Sequence, residues 1–151
     1  MVEELKNFIE KKEIKVNFYE FSKPVLSVDS SAKELNVDPE RIVKSLIFVD
    51  EEGTPLLVIV TGDKRVDEER LSEVHGQEVR LAKAREVEEF SGYKIGEVPP
   101  VGLVLKTFVD SKVMDFDTVI AGGGSTHALI KIGSADIVEV NGAKVADIGT
   151  E

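Results

Sequence analysis

The sequence predicts an α+β fold, a curved, mixed and largely antiparallel central sheet flanked by short helices. Apolar runs of strand length outnumber the helical patterns, and the two do not alternate as a doubly wound fold requires. The strongest pair of runs, Ile42 to Val49 and Pro55 to Val60, is separated only by Asp50-Glu51-Glu52-Gly53, which reads as a hairpin. Both runs are continuously apolar, so they are expected at the centre, covered on both faces. The chain has 151 residues, 42% hydrophobic and 32% charged. That size and balance predict one domain over residues 1–151 that buries about 68–70% of its unfolded surface.

Residues 2–12 space Val2, Leu5, Phe8 and Ile9 as an amphipathic helix, with Glu3-Glu4 first and Lys11-Lys12 last, matching the helix dipole. Val16 to Phe21 alternates as a strand. Ser30 to Leu35 reads as a short helix capped by Asp29 or Ser30, and Asp38-Pro39-Glu40-Arg41 as a second helix start with proline at its first position. After the hairpin, Asp67 to Val74 and Ala84 to Phe90 are helices ended by Gly76 and Gly92. Strands are expected at Val101 to Val109, Thr118 to Ala121, His127 to Ile132 and Val145 to Ile148. A short helix is expected at Ser134 to Glu139. There is no internal repeat or linker.

The formal net charge of −10 opposes a general polyanion binder, because phosphate neutralisation supplies most non-specific affinity. A local basic patch from Arg41 with Lys44, Lys64-Arg65, or Lys83 with Arg85 stays open. The absence of cysteine removes disulfides, thiol nucleophiles and thiolate ligands. No apolar run has membrane-span length, and the opening residues lack the pattern of a secretory signal. A cytoplasmic protein with no membrane partner is therefore expected. His75 precedes Gly76 and reads as a helix-end residue, and two histidines without a ligand pattern predict no metal site and no cofactor.

Three features bear on chemistry. Gly92 to Gly102 holds three glycines and the pair Pro99-Pro100, a loop both bent and stiffened. It suits either a structural turn or a wall presenting backbone N–H groups to a ligand. Lys44 shares a strand face with Leu46 and Phe48, where an ammonium either snorkels, pairs, or stands in a pocket beside a carbonyl or phosphate oxygen. Gly122-Gly123-Gly124 suits either a tight strand connection or an anion nest.

These segments, in order, resemble the YbaK/EbsC family of aminoacyl-tRNA deacylases, free-standing relatives of the prolyl-tRNA synthetase editing domain. The resemblance runs from about Tyr19 to Asp147. It is carried by Ile42-Val43-Lys44-Ser45-Leu46, Thr61 to Asp67, Gly92 to Gly102, Phe108-Val109-Asp110-Ser111, Ala121 to Ser125 and Ala146-Asp147-Ile148. It implies a trans-editing hydrolase for mischarged aminoacyl-tRNA, with Ala- or Cys-tRNA(Pro) foremost. The family's essential lysine falls on Lys44. Its Gly-x-x-x-Pro loop falls on Gly96, Glu97, Val98, Pro99 and Pro100, with backbone N–H groups near Glu97 and Val98 holding the ester carbonyl. Tyr19, Ser45, Gly123, His127 and Asp136 are implied as further substrate-binding positions, and the tRNA acceptor end, with or without a synthetase, as partner. Glu97 departs from the small neutral residue of many relatives. An alternative is a non-catalytic module that binds tRNA or a nucleotide beside a synthetase.

Overall fold

The computed structural model describes residues 2–25 and 27–151. The elements in order are α1 (Val2–Lys11), β1 (Val16–Glu20), α2 (Val28–Leu35), β2 (Val43–Asp50), β3 (Pro55–Thr61), β4 (Arg65–Val66), α3 (Glu68–His75), β5 (Val79–Leu81), α4 (Ala84–Ser91), β6 (Lys106–Asp110), β7 (Thr118–Gly122), β8 (Ala128–Gly133), α5 (Ser134–Asn141), β9 (Lys144–Ala146) and β10 (Gly149–Thr150). Single 3-10 turns occupy Pro39–Arg41 and Ser111–Asp115.

The expected α+β architecture is present. The main sheet runs β5-β2-β3-β6-β9, with β5, β2 and β3 antiparallel and β6 and β9 joined in parallel. A second, antiparallel sheet runs β1-β8-β7, and β10 pairs with β4. One parallel bridge, Ile42 to Ile120, joins the two larger sheets. The β2–β3 hairpin forms in the expected register, Lys44 opposite Val60 and Phe48 opposite Leu56. Strand alternation then divides the core. Leu57 and Ile59 face Leu5, Ile9, Val87, Ile130 and Ile137, while Leu56, Val58 and Val60 face Leu71, Phe108 and Ile148. β3 is thus covered on both faces.

Several boundaries differ from expectation, each for a local reason. The cap of α2 is Ser27, not Asp29 or Ser30: Ser30 N–H donates to Ser27 Oγ at 2.9 Å and Ser27 N–H to Ser30 Oγ at 3.2 Å, a reciprocal capping box. The proline-led helix at residue 39 stops after one 3-10 turn, because Ile42 already bridges to Ile120. Of the run 101–109 only the part from Lys106 onward is a strand, which continues to Asp110. Gly102 has φ +92° beside Leu5 and Phe8 and turns the chain, so residues 101–105 form no ladder; Val101 is buried and Val104 exposed. The last expected strand ends at Ala146, where the Asp110 carboxylate takes the N–H groups of Ile148 and Gly149, both at 2.9 Å. Among the described residues no helix is long and apolar enough to cross a membrane.

Candidate functional site

The site begins at the Ile42–Ile120 bridge. Beyond it β2 continues toward β5 while β7 ends at the triglycine turn, so the two strands splay. β5 covers β2 only from Phe48 onward, leaving the edge before Ile47 open. The wedge between them is a cavity of about 310 Å³. Its walls are Ile42 to Leu46, Ala121, Gly122 and Leu129, closed by Val25, Ser27, Val28 and Ser31 of the α2 start and by Ile95, Gly96 and Val98. Lys44 and Ser45 point to opposite faces of β2, yet both reach this cavity because it wraps the open edge.

The lining is mostly aliphatic, with few polar groups. Lys44 Nζ donates to the carbonyl of Lys64, and burial pulls its pKa below the ordinary lysine value. Asp63 opposes that shift and Arg65 adds to it. Ser45 Oγ is buried and, among the described residues, has no hydrogen-bond partner. A buried hydroxyl without a partner costs free energy that a ligand would recover.

Glycine shapes the opposite wall. A Cβ at Gly122 would stand 2.7 Å from the Val98 carbonyl oxygen, so the triglycine turn and the Gly96–Pro100 loop meet backbone to backbone. Gly96 itself has φ +88°. Pro99 and Pro100 are buried, and Asn141 Nδ2 donates to Pro100 O at 2.7 Å, fixing the loop to α5. The Glu97 N–H is already spent on Lys94 O at 3.0 Å, which corrects its expected availability. Among the described residues the Gly96 and Val98 N–H groups have no protein acceptor.

Of the sequence-derived residues, Lys44, Ser45, Gly96 and Val98 line the cavity. Gly123 stands behind it, its N–H donated to Ala128 O at 3.0 Å and its Cα pressed on Ala128. Tyr19 lies opposite Leu129 on β1, one layer further back. His127 is exposed, Nδ1 2.6 Å from Thr126 Oγ1. Asp136 lies in the first turn of α5 against Gly133, outside the lining. The α2 wall was not foreseen, although the Ser27-x-x-Ser30 box marks it in the sequence.

The basic patch is smaller than the sequence allows. The Arg41 guanidinium donates to Thr118 O and Oγ1 at 3.1 and 2.9 Å, and Lys64 pairs with Glu151. A broader depression of about 700 Å³ beside α3 carries Glu51, Glu68, Glu69, Glu73 and Glu78 and, among the described residues, no cation. Its charge disfavours an anionic ligand, so size does not select it over the smaller cavity.

Residues 22–140 match the model of a family described as the aminoacyl-tRNA editing domain. The proline–tRNA ligase of Caldicellulosiruptor saccharolyticus is 30% identical over 125 residues, 82% of this chain but only 21% of the ligase. A protein of Enterococcus faecalis named "Putative Cys-tRNA(Pro)/Cys-tRNA(Cys) deacylase EbsC" is 24% identical over 148 residues, 95% of this chain and 90% of that one. A solved structure described as "a putative trans-editing enzyme for prolyl tRNA synthetase" superposes with a TM-score of 0.89 at 30% identity, covering 99% of this chain and 97% of that chain. The expected resemblance is thereby borne out over most of the sequence, and the chain belongs to the aminoacyl-tRNA editing domain family.

Proposed function

We infer that this protein hydrolyses the ester of a mischarged aminoacyl-tRNA, with alanine or cysteine on tRNA(Pro) as the foremost substrates. The observation that carries this is the single cavity in which Lys44 and the partnerless Ser45 hydroxyl face the Gly96–Val98 backbone. Water adds to the ester carbonyl, the carbon–oxygen bond to the terminal ribose breaks, and the proton passes to the departing ribose hydroxyl. The free N–H groups of Gly96 and Val98 stand ready for the developing oxyanion, held by the buried prolines so that little reorganisation is needed. Lys44 neutralises an oxygen or phosphate of the terminal nucleotide, and Ser45 hydrogen-bonds the substrate. No protein nucleophile is invoked, and positioning supplies much of the barrier reduction. The aliphatic wall of Val25, Val28 and Leu129 suits a small side chain.

The name of the Enterococcus relative and the ligase similarity support the choice of tRNA(Pro). A panel of labelled aminoacyl-tRNAs tests the reading. Ala- or Cys-tRNA(Pro) should lose its ester with wild-type protein, and Lys44→Ala should abolish that loss. Absence of turnover on every member of the panel would refute it.

A further inference from the structure

Three of the stretches that carry the family resemblance lie outside the cavity: Thr61 to Asp67, Phe108 to Ser111, and Ala146 to Ile148. In the structure they converge. Asp110 is fully buried, and its carboxylate accepts from Ile148 N–H and Gly149 N–H at 2.9 Å each and from Lys112 N–H at 3.4 Å. No side-chain cation pairs with it among the described residues. Ile148 O in turn accepts from Asp67 N–H at 2.7 Å, and β10 pairs with β4, Gly149 opposite Val66 and Thr150 opposite Arg65. The turn preceding β4 is closed by Lys64 N–H to Thr61 O at 3.0 Å and held at its base by Gly62 N–H to Ile42 O at 2.6 Å. The carbonyl presented by that turn, Lys64 O, receives the Lys44 ammonium.

We propose that Asp110 is a positioning residue for Lys44, acting through β10, β4 and the Lys64 carbonyl. This rests on the deacylase reading for Lys44 but adds to it. The carboxylate's hydrogen bonds fix where β10 leaves the main sheet, β10 fixes β4, and β4 fixes the carbonyl that aims the ammonium along the open edge of β2. Asp63 and Arg65, which act on the Lys44 charge from the same turn, move with it. Without Asp110 the ammonium loses its anchor and swings toward water.

The test compares Asp110→Ala with Asp110→Asn, whose side-chain oxygen can still accept both amide N–H groups. In Asp110→Ala, kcat on aminoacyl-tRNA should fall by about tenfold or more with KM changed by less than about twofold, the signature of misplacement rather than lost binding. Nuclear magnetic resonance of ¹³C-dimethylated lysines, with Lys44 assigned from Lys44→Arg, should show Lys44 titrating closer to 10.5 in that variant. Asp110→Asn should retain most of the rate and the wild-type titration. A folded Asp110→Ala protein with unchanged kcat and unchanged Lys44 titration overturns the proposal, as does an Asp110→Asn protein as impaired as the alanine variant. If Asp110→Ala does not fold, Gly149→Ala applies the same test, since its Cβ would stand 2.7 Å from Asp110 Oδ2. If wild-type protein deacylates nothing, the functional reading falls while the lysine titration still decides the positioning.

Discussion

At Gly122, Gly123 and Gly76 the same substitution meets three different surroundings. A Cβ at Gly122 would press on the Val98 carbonyl at 2.7 Å, and one at Gly123 on the Ala128 carbonyl carbon at 2.8 Å. Both neighbours are backbone and cannot rotate away. Gly76 has φ +89° with open space around it. Gly76→Ala should therefore cost only about 1 kcal/mol of backbone strain, and Gly122→Ala about 1–3 kcal/mol of overpacking. Urea midpoints check the order. Deacylation separates the sites further, because only Gly122→Ala shifts the loop that carries the Gly96 and Val98 N–H groups. Ser45 gives the opposite pattern. Its hydroxyl is buried without a partner among the described residues, so Ser45→Ala should leave stability unchanged or raise it by up to about 1 kcal/mol. KM for aminoacyl-tRNA should rise at the same time. A large loss of stability in Ser45→Ala would show that the hydroxyl serves the fold.

The hairpin, α3 and the main sheet are pinned together by one buried pair. His75 Nε2 lies 2.9 Å from Asp50 Oδ2, and Asp50 Oδ1 accepts from Glu52 N–H and Thr54 N–H. Lys106 Nζ lies 3.1 Å from His75 Nδ1, which assigns Nδ1 as acceptor and Nε2–H as donor to Asp50. The hydrogen bond from His75, followed by those from Thr54 and Glu52, holds the Asp50 pKa below 3.8. A depressed carboxylate stabilises the fold fully above its unfolded value and loses that contribution as pH falls through the folded one. Denaturant midpoints of wild-type protein and Asp50→Asn should thus differ most near neutral pH and converge as pH falls below 3.8 through the lowered folded-state value. A constant gap across that range would show that the charge is not what matters. The elements joined here illustrate what the sequence discloses. The hairpin, α3 ending at Gly76 and α4 ending at Gly92 rest on local signals and were legible, though Asp67 caps α3 and does not open it. β4, β5 and β10 have only two or three residues each and exist through non-local pairing, so no local pattern announces them. Residues 101–105 have the apolar character of a strand, but Gly102 at φ +92° breaks the extended backbone and leaves Val104 exposed, so hydrophobicity there marks neither a strand nor burial. At the site, Lys44 and the Gly96–Pro100 loop were legible through their resemblance to a family. The α2 wall was not, because its contact with β2 depends on how the two sheets meet.

Across the whole molecule, a net charge of −10 must coexist with the anionic substrate proposed for it. The structure separates the two. Five glutamates crowd the depression beside α3 and the hairpin turn, while among the described residues the cavity lining holds no carboxylate and one lysine. On the proposed reading, repulsion from the acidic side acts on approach, and the contact itself should neutralise few phosphates. Two measurements follow from that division. Fluorescence anisotropy of tRNA binding against salt should give a log–log slope shallower than about −2, since a single strand releases about 0.7 counterion per phosphate neutralised. A slope steeper than about −5 would reveal an extended basic track beyond the cavity. Reversing two glutamates, Glu68→Lys with Glu69→Lys, should raise kcat/KM severalfold at low salt through faster encounter. The gain should disappear near 0.5 M salt, where the screening length is only about 4 Å, and kcat should not move at any salt. If kcat moved as well, the acidic depression would belong to the reaction itself and not to the approach.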